Sequence, residues 1–488
     1  MVARKWVALS NTTIGTFMAL LDTSIVLISL PTIGRELPGT PPEVLLWVVL
    51  TYSLVTTTLL LSLGRLSDMF GRVRLYTLGF AVFTIGSGLA SLSTSGAFLL
   101  SARIVQGVGA GLLSSNSAAI LTDAFPPRER GRALGINQVA AIGGGMLGLV
   151  LGGVLTTTLG WRSIFWVNLP IGTFGTIWAY RALPRTPSHE RQAPIDWRGN
   201  LSFAVGITAA LVGVTLGGLQ GWGSPVIIFL LVAGIASLLL FLGVERRVAS
   251  PMFQLSLFRI RTFAFGNLAA LFSALARGAF SFIMVFYFQG VLFQSPLSAG
   301  LMLLPLSAAF VVAGPISGAV SDLTGARILG TAGLLLSSLG FLVLLEFQAH
   351  DPYWQLAAAM VMLGVGQGMF AAPNRAEVMS SVPPERRGVA SGMGMTFLQA
   401  GNLGSLAMGF TILAGVVPTS TLASVFAGGS GGAPPDVGAF MSALHVIFAV
   451  GFVLTLLAAG ANAVRGRSDR GEERPLPGAR SPTLGSVP

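Results

Sequence analysis

Long apolar segments separated by short polar breaks run through almost all of the 488-residue chain. Each segment is about 20 residues long or more, which matches an α-helix that crosses the hydrocarbon core of a bilayer. The pattern therefore predicts an all-α integral membrane protein. It places fourteen transmembrane helices near residues 7–33, 44–63, 75–94, 97–121, 133–158, 163–182, 200–219, 225–243, 262–288, 298–317, 328–347, 353–379, 389–413 and 438–463.

Two polar stretches occur twice at almost the same spacing. GRLSDMFGRVR from Gly64 returns as GAVSDLTGARI from Gly318, 254 residues later. FPPRERGRALG from Phe125 returns as VPPERRGVASG from Val382, 257 residues later. Such a repeat indicates two homologous halves, as in transporters that are built from structural repeats.

The repeat divides the chain into four parts. Residues 1–182 and 262–463 are predicted to form two six-helix bundles, and residues 183–261 an inserted two-helix hairpin with polar flanks. The segment 464–488 is polar and contains prolines, so we expect a disordered tail. The Gly- and Pro-rich stretch 417–437 is likewise expected to be flexible.

Composition narrows the function classes. The chain is 53% hydrophobic and only 10% charged, which excludes a soluble protein of this size. Its net charge of +11 is spread along the chain rather than gathered in one patch, so nucleic-acid binding is not expected. There is no cysteine, and the three histidines stand in no metal-ligand or catalytic spacing. We therefore expect no enzyme, no metal site and no organic cofactor.

Basic residues indicate the orientation. Of the 29 lysines and arginines, 24 fall in segments on one side of the predicted helices. The positive-inside rule assigns that side to the cytoplasm. The prediction is a multi-pass protein of the cytoplasmic (inner) membrane with both termini in the cytoplasm, and "inner side" below means this side.

The glycine, acid, glycine and arginine pattern at Gly64 resembles the signature loop of the major facilitator superfamily. LDTSIVLISLP from Leu21, RIVQGVGAG from Arg103 and GWRSIFWVNLPIG from Gly160 extend the likeness, and their order is similar to the fourteen-span drug:proton antiporter branch. The resemblance implies the major facilitator fold and alternating access. It also implies export of small amphipathic compounds driven by the proton gradient, with membrane lipid as surroundings.

Five charged residues stand out within predicted helices, because a charge inside a span is costly and needs a reason. Asp22 and Arg103 have compatible depths, so a long arginine reaches the carboxylate. They form either a structural ion pair or a proton-coupling pair. In related antiporters the acid and the arginine at these positions take part in proton coupling, so the resemblance favours the second role.

The other three charges are candidates for the central cavity. Arg277 is placed next to the repeat counterpart of Asp22, and is expected either to face the cavity or to pair with Glu377 or with backbone carbonyls. Arg375 and Glu377 are two residues apart and therefore point to different faces of one helix. Glu377 is favoured as the cavity carboxylate, whereas Arg375 is close enough to the inner side to snorkel.

The repeated loop is predicted to act as a gate. Gly64 and Gly71 are expected to allow a tight turn, and Asp68 to cap a helix and pair with arginine. The resemblance implies that this loop holds the halves together on the cytoplasmic side in the outward-facing state. The second copy of the loop lacks the arginine that follows the first glycine. It should therefore be the weaker latch, that is, it should hold the halves together less strongly. The predicted gating residues are Gly64, Arg65, Asp68, Gly71, Arg72, Asp322 and Arg327.

A glycine-rich segment falls in the fifth predicted helix, where the antiporter branch carries its signature. Small residues allow helices to approach closely, which could seal one end of the pathway. Leu149 stands where the branch has a proline, which weakens the inference of strict antiport. The packing glycines are Gly144, Gly148, Gly152 and Gly153.

Two alternatives to a multidrug exporter stay open at this stage. One is a dedicated exporter of a single metabolite, lipid or siderophore, with an anionic cargo suggested by three intramembrane arginines against two acids. The other is a membrane sensor that transports nothing. In each transporter case the partners are a small-molecule substrate and protons, and we expect a monomer.

Overall fold

The computed structural model describes residues 2–37, 40–126, 129–184, 196–248, 251, 253–383, 386–426 and 436–466. A few side chains inside these ranges, those of Asp68 and Asp322 among them, lie outside the description. The described residues are almost entirely helical, which confirms the all-α prediction.

Seven helices make up the first half, and two further helices form the inserted hairpin. The first half contains α1 (Val2–Glu36), α2 (Pro42–Phe70), α3 (Arg72–Ser91), α4 (Gly96–Ala124), α5 (Arg130–Leu159), α6 (Ser163–Trp166) and α7 (Asn168–Ala182). The hairpin contains α8 (Trp197–Gln220) and α9 (Pro225–Glu245).

The second half starts after a short 3-10 turn at Leu255–Arg259 and includes one π-helical turn at Tyr287–Val291. Its helices are α10 (Arg261–Phe286), α11 (Pro296–Met302), α12 (Leu304–Thr324), α13 (Ala326–Leu345), α14 (Tyr353–Ser380), α15 (Arg387–Val416), α16 (Thr419–Phe426) and α17 (Val437–Val464).

Thirteen helices in the described part of the chain are long and apolar enough to cross a membrane. The sixth predicted segment, 163–182, is divided between α6 and α7, each of which is too short by itself. Pro170 explains the break, because it has no N–H to donate to the carbonyl of Trp166. The predicted count of fourteen holds when this broken pair is taken as one crossing.

The two halves repeat the same packing, as the repeated motifs predict. In the first half α5 packs on α1, α4 packs on α2 and α3, and α7 packs on α3. In the second half α15 packs on α10, α14 packs on α12 and α13, and α17 packs on α13. The chain therefore has the two-bundle architecture predicted from its repeat.

The repeated polar stretches are mostly helical, which corrects their prediction as open loops. Helices α2 and α3 are joined by Gly71 alone, with φ 99°, and α12 and α13 by Gly325 alone, with φ 85°. Both glycines adopt positive φ, where other residues are strained. Gly64 lies inside α2 and takes no part in the turn, so its predicted turn role is wrong.

The hairpin bridges the two halves. Asn200 Nδ2 of α8 donates to the carbonyl of Thr58 on α2, at 2.7 Å. Thr411 Oγ1 of α15 donates to the carbonyl of Val214 on α8, at 2.8 Å. Helix α8 thus contacts one helix from each bundle.

Direct packing between the halves is found on the outer side. Gln289 Nε2 donates to the carbonyl of Ile28 at 2.8 Å. A Cβ added to Gly153 on α5 would lie 2.6 Å from Leu297 Cα on α11, so the two backbones are in close contact there. These contacts join the two halves on this side.

Two stretches predicted to be unstructured contain ordered residues. Within 417–437, residues Thr419–Phe426 form α16, where Val425 and Phe426 are buried; residues 427–435 lie outside the described residues. In the predicted tail Arg465 is fully buried, and residues 467–488 lie outside the description. The apolar residues of α16 and the charge of Arg465 both have partners in the folded chain.

Candidate functional site

Asp22 and Arg103 form an ion pair in the interior of the first half. Arg103 Nη1 lies 2.5 Å from Asp22 Oδ2, and both side chains have 0% exposure. Asp22 is near the middle of α1 and Arg103 is in the second turn of α4. The structure therefore brings together the two charges that the sequence predicted to meet.

Two amides complete the surroundings of the carboxylate. Asn168 Nδ2, at the start of α7, donates to Asp22 Oδ1 at 2.7 Å, and Gln106 Nε2 donates to the same oxygen at 3.2 Å. Gln106 Nε2 also donates to Ser87 Oγ at 2.7 Å. Asp22 thus accepts hydrogen bonds from three side chains, which provides the compensation that a buried charge requires.

Arg103 has partners other than Asp22. Its Nε donates to the carbonyl of Val48 at 3.0 Å, and its Nη1 to Gln106 Oε1 at 2.9 Å. The guanidinium carbon lies 4.3 Å from the centre of the Tyr52 ring, a cation–π distance. Arg103 Nη2 is buried without a hydrogen-bond partner. The guanidinium is therefore held by groups other than Asp22, and one of its donors forms no hydrogen bond.

Glycines of α5 allow α1 to approach beside Asp22. A Cβ on Gly148 would lie 2.7 Å from the carbonyl oxygen of Leu21, and one on Gly144 would lie 2.5 Å from that of Phe17. A Cβ on Gly152 would likewise lie 2.9 Å from Ile25 Cα. These three glycines, spaced by four residues, form one stripe against α1, whereas Gly153 faces α11 of the other half.

Leu149 leaves α5 unbroken. The helix is continuous from Arg130 to Leu159, since a leucine retains the N–H that a proline lacks. Leu149 is buried, and α11 packs on its backbone: a Cβ on Gly300 would lie 2.5 Å from its carbonyl oxygen. The departure from the branch pattern thus falls at the contact between the halves.

Glu377 pairs with an arginine that sequence reasoning had assigned to the tail. Arg465 Nη2 forms an ion pair with Glu377 Oε2, and Arg465 Nη1 donates to Asn374 Oδ1 at 2.7 Å. Burial lowers the pKa of Arg465, while the Glu377 carboxylate acts in the opposite direction. The two residues therefore serve as counter-charges that join the inner ends of α14 and α17.

Arg277 and Arg375 have no ion-pair partner among the described residues. Arg277 lies near the middle of the long segment formed by α10 and the π-helical turn, and its Nε is buried without a hydrogen-bond acceptor. It does not pair with Glu377, which was one of the two expected arrangements. Arg375 is exposed and lies on a different face of α14 from Glu377, as their spacing predicts.

The predicted gating residues are partly described. Arg72 donates to both carboxylate oxygens of Asp123, at 2.8 and 3.0 Å, within the first half. Arg65 is half-buried and Arg327 is exposed. The side chains of Asp68 and Asp322 lie outside the description, so the gate and the weaker second latch stay predictions.

Sequence reasoning missed Gln106, Asn168 and Arg465. Gln106 follows Arg103 by three residues, and Asn168 lies in GWRSIFWVNLPIG, so both stand in stretches that carried the resemblance. The available signal for these two residues was an amide side chain inside a predicted apolar span. Arg465 gave no such signal. An arginine directly after an apolar segment is also expected from the positive-inside rule alone.

No group of three or more His, Asp and Glu side chains in the described part of the chain is placed to hold a metal ion.

Comparison with known proteins identifies the family. The family model "Major Facilitator Superfamily" matches residues 12–404 and, in a second match, 266–482. This chain belongs to the Major Facilitator Superfamily. Its relatives are transporters, so the protein is a membrane transporter and not an enzyme. The sequence repeat and the two helix bundles are consistent with membership of this family.

Relatives within the superfamily differ in their named cargo. The chain is 34% identical to the riboflavin transporter RibZ of Clostridioides difficile, covering 79% of this chain and 83% of that protein. It is 35% identical to the multidrug resistance protein Stp of Mycobacterium tuberculosis, covering 83% and 74%. A crystal structure of a D-xylose-proton symporter shares the fold, with a TM-score of 0.65, 16% identity and coverage of 96% and 99%.

Proposed function

We propose that this transporter exports small amphipathic compounds in exchange for protons, with Asp22 and Arg103 as the coupling pair. The observation that carries the proposal is the fully buried ion pair between these residues, held by two amides. The name of the multidrug resistance relative supports the choice of cargo. The riboflavin transporter supports instead a single dedicated cargo, so the breadth of cargo is part of what must be tested.

The network permits a change of protonation without loss of Arg103. When Asp22 takes up a proton, its negative charge no longer holds the guanidinium. Arg103 retains the carbonyl of Val48, Gln106 Oε1 and the Tyr52 ring. Asp22 can then load and release a proton as α1 and α4 shift, while the arginine stays within the bundle.

The energy of one proton is adequate for this task. A proton that enters down 100 mV releases about 2.3 kcal/mol. At about 1.4 kcal/mol per tenfold ratio, this supports a roughly 40-fold gradient of a neutral compound. A cargo that carries positive charge outward needs more protons.

Flux in membrane vesicles tests the proposal. Everted vesicles with an imposed pH gradient are given either ethidium or undecanoic acid that carries a dansyl group at the end of its chain. We expect wild type to accumulate at least one probe and to stop when the gradient is collapsed. Asp22→Asn and Arg103→Ala should lose gradient-driven accumulation, whereas Glu36→Gln, an exposed acid on the same helix α1, should keep it.

The outcomes separate the alternatives. Gradient-driven transport that persists in Asp22→Asn would contradict the coupling role. Transport of one probe and rejection of the other would favour a dedicated cargo. Absence of flux for every compound tried, with the protein correctly inserted, would favour the membrane sensor.

A further inference from the structure

Two hydrogen-bond donors in the middle of the second half are buried without acceptors. Arg277 Nε on α10 is one, and Gln367 Nε2 on α14 is the other. Gln367 is 4% exposed, and its Oε1 accepts from Ser273 Oγ at 2.9 Å. Since Arg277 follows Ser273 by one helical turn, about 6 Å along α10, the two donors lie in the same region.

Charge balance within the spans adds a second observation. Of the acids that the sequence placed within spans, Asp22 is bound by Arg103 and Glu377 by Arg465. Arg277 and Arg375 have no carboxylate partner among the described residues. Arg277 therefore carries a positive charge in the middle of the membrane region that the described protein does not neutralise, an arrangement that is costly unless something else supplies the anion.

The neighbouring contacts give the direction of each arginine on its helix. On α14, Asn374 faces α10 through a hydrogen bond to Gly266, and Gly368 packs on α12. Arg375 follows Asn374 and shares a face of α14 with Gly364 and Gly368, both of which pack on α12. Arg277 lies on α10 beyond the Ser273 contact to α14. The two positions are about 18 Å apart in depth, from the inner mouth to mid-membrane.

We propose that the cargo is an amphipathic anion whose acidic group is bound by Arg277 and Gln367, with Arg375 at the inner mouth of its path. This inference rests on the transporter function proposed above and names its substrate class. A carboxylate, sulfonate or phosphate offers the acceptors that both donors lack and the charge that Arg277 lacks. Arg375 attracts the same group first, since it is exposed and closer to the cytoplasm.

A lipid headgroup does not account for the mid-membrane donors. Arg277 is sixteen residues from Arg261 and fourteen from Val291, the two ends of its long segment, which corresponds to about 24 Å and about 21 Å along the helix. Headgroups are confined to the surface of a hydrocarbon core about 30 Å thick. Arg375 is within reach of an anionic lipid, so the test uses zwitterionic lipid alone and then adds phosphatidylglycerol.

Binding of matched probes tests the inference without any proton gradient. The full chain in zwitterionic nanodiscs is titrated with three dansylated eleven-carbon chains that end in a carboxylate, a primary amide or an amine. Dansyl fluorescence reports occupancy. We expect the acid to bind about tenfold or more tightly than the amide, as charge-assisted hydrogen bonds imply, and the amine to bind most weakly.

Variants assign that preference to the two donors. Arg277→Gln should reduce the acid preference to about twofold or less, while Arg277→Lys should keep part of it because the charge remains. Gln367→Glu supplies a carboxylate beside Arg277 and should abolish the preference. Arg35→Gln, at the exposed outer end of α1, is the control and should bind as wild type does. Amide binding should be unchanged in every variant, which shows that each is folded.

Three results would overturn the inference: equal binding of acid and amide by wild type, tighter binding of the amine, or an acid preference that survives Arg277→Gln. An acid preference that is lost when phosphatidylglycerol is added would also overturn it, because the anionic headgroup would then be the occupant of the site. Failure of the proposed proton coupling is seen separately. In that case the acid binds through Arg277, yet Asp22→Asn transports as well as wild type.

Discussion

Asp22 and Glu377 are each matched by an arginine from a different element, but the surroundings of the two pairs differ. Asp22 has two amide donors besides Arg103, and Arg103 has other acceptors to use. Glu377 and Arg465 have fewer partners, and Arg465 Nε is buried without an acceptor. The first pair therefore lies in the larger hydrogen-bond network, whereas the second pair joins the inner ends of α14 and α17.

The second pair gives a prediction of stability. Arg465→Met leaves the Glu377 carboxylate largely buried without its partner, and should lower the free energy of unfolding by about 3–5 kcal/mol. The double variant Arg465→Met with Glu377→Gln should recover most of the loss, since no charge is then left unpaired. Chemical unfolding in detergent micelles measures both.

Lys5 and Glu129 provide the matched control, because that ion pair is partly exposed. Lys5→Met should cost about 1 kcal/mol or less. If Lys5→Met and Arg465→Met lower the free energy of unfolding equally, burial of the Arg465 pair does not contribute to stability.

Charged residues within apolar segments were the part of the site that the sequence revealed. An isolated Asp or Arg in a span is rare enough to be noticed, so Asp22 and Arg103 were found. Gln106 and Asn168 were missed because an uncharged amide is a weaker signal. Arg465 was missed because its partner, Glu377, lies 88 residues earlier and only tertiary packing brings them together.

At the level of elements, close contact between α1 and α5 depends on glycine. Gly148→Ala places a Cβ 2.7 Å from the Leu21 carbonyl and 2.8 Å from Ser24 Cβ, so the helices must move apart next to Asp22. We expect a loss of about 1–3 kcal/mol in unfolding free energy. Thermal unfolding in micelles measures it.

Gly143 is the control on the same helix, because a Cβ there meets nothing within 4 Å. Gly143→Ala should be neutral or stabilising by up to about 1 kcal/mol, since alanine favours the helix. If both variants unfold alike, close approach of α1 and α5 does not contribute to stability.

Helix positions followed from the lengths of apolar segments, but breaks within them did not. Pro170 and Pro305 stand in continuous apolar runs, and each lies near the start of a helix that follows a break. Hydropathy does not register a missing N–H, so α6–α7 and α11–α12 were each predicted as one helix. Gly64 shows the opposite case, since it resembled a turn residue but α2 continues through it.

Across the whole molecule, the halves meet on the outer side, and the hairpin spans both of them. The bond from Gln289 to Ile28 and the packing of Gly153 on Leu297 join the halves on that side. The proposed alternating access requires that these contacts open while the inner ends close. The Asp22 pair, on α1, and Gly153, on α5, lie in helices that pack on each other, so the proposal puts proton coupling next to a contact that must move.

Proton movement driven by cargo tests the central claim most directly. Proteoliposomes with an internal pH dye and no imposed pH gradient are given a cargo gradient, using whichever dansylated or cationic probe wild type transports. We predict that wild type moves protons opposite to the cargo, and that Asp22→Asn lets the cargo equilibrate without proton movement. Cargo flow without protons in wild type, or an unchanged ratio of protons to cargo in Asp22→Asn, would contradict the account.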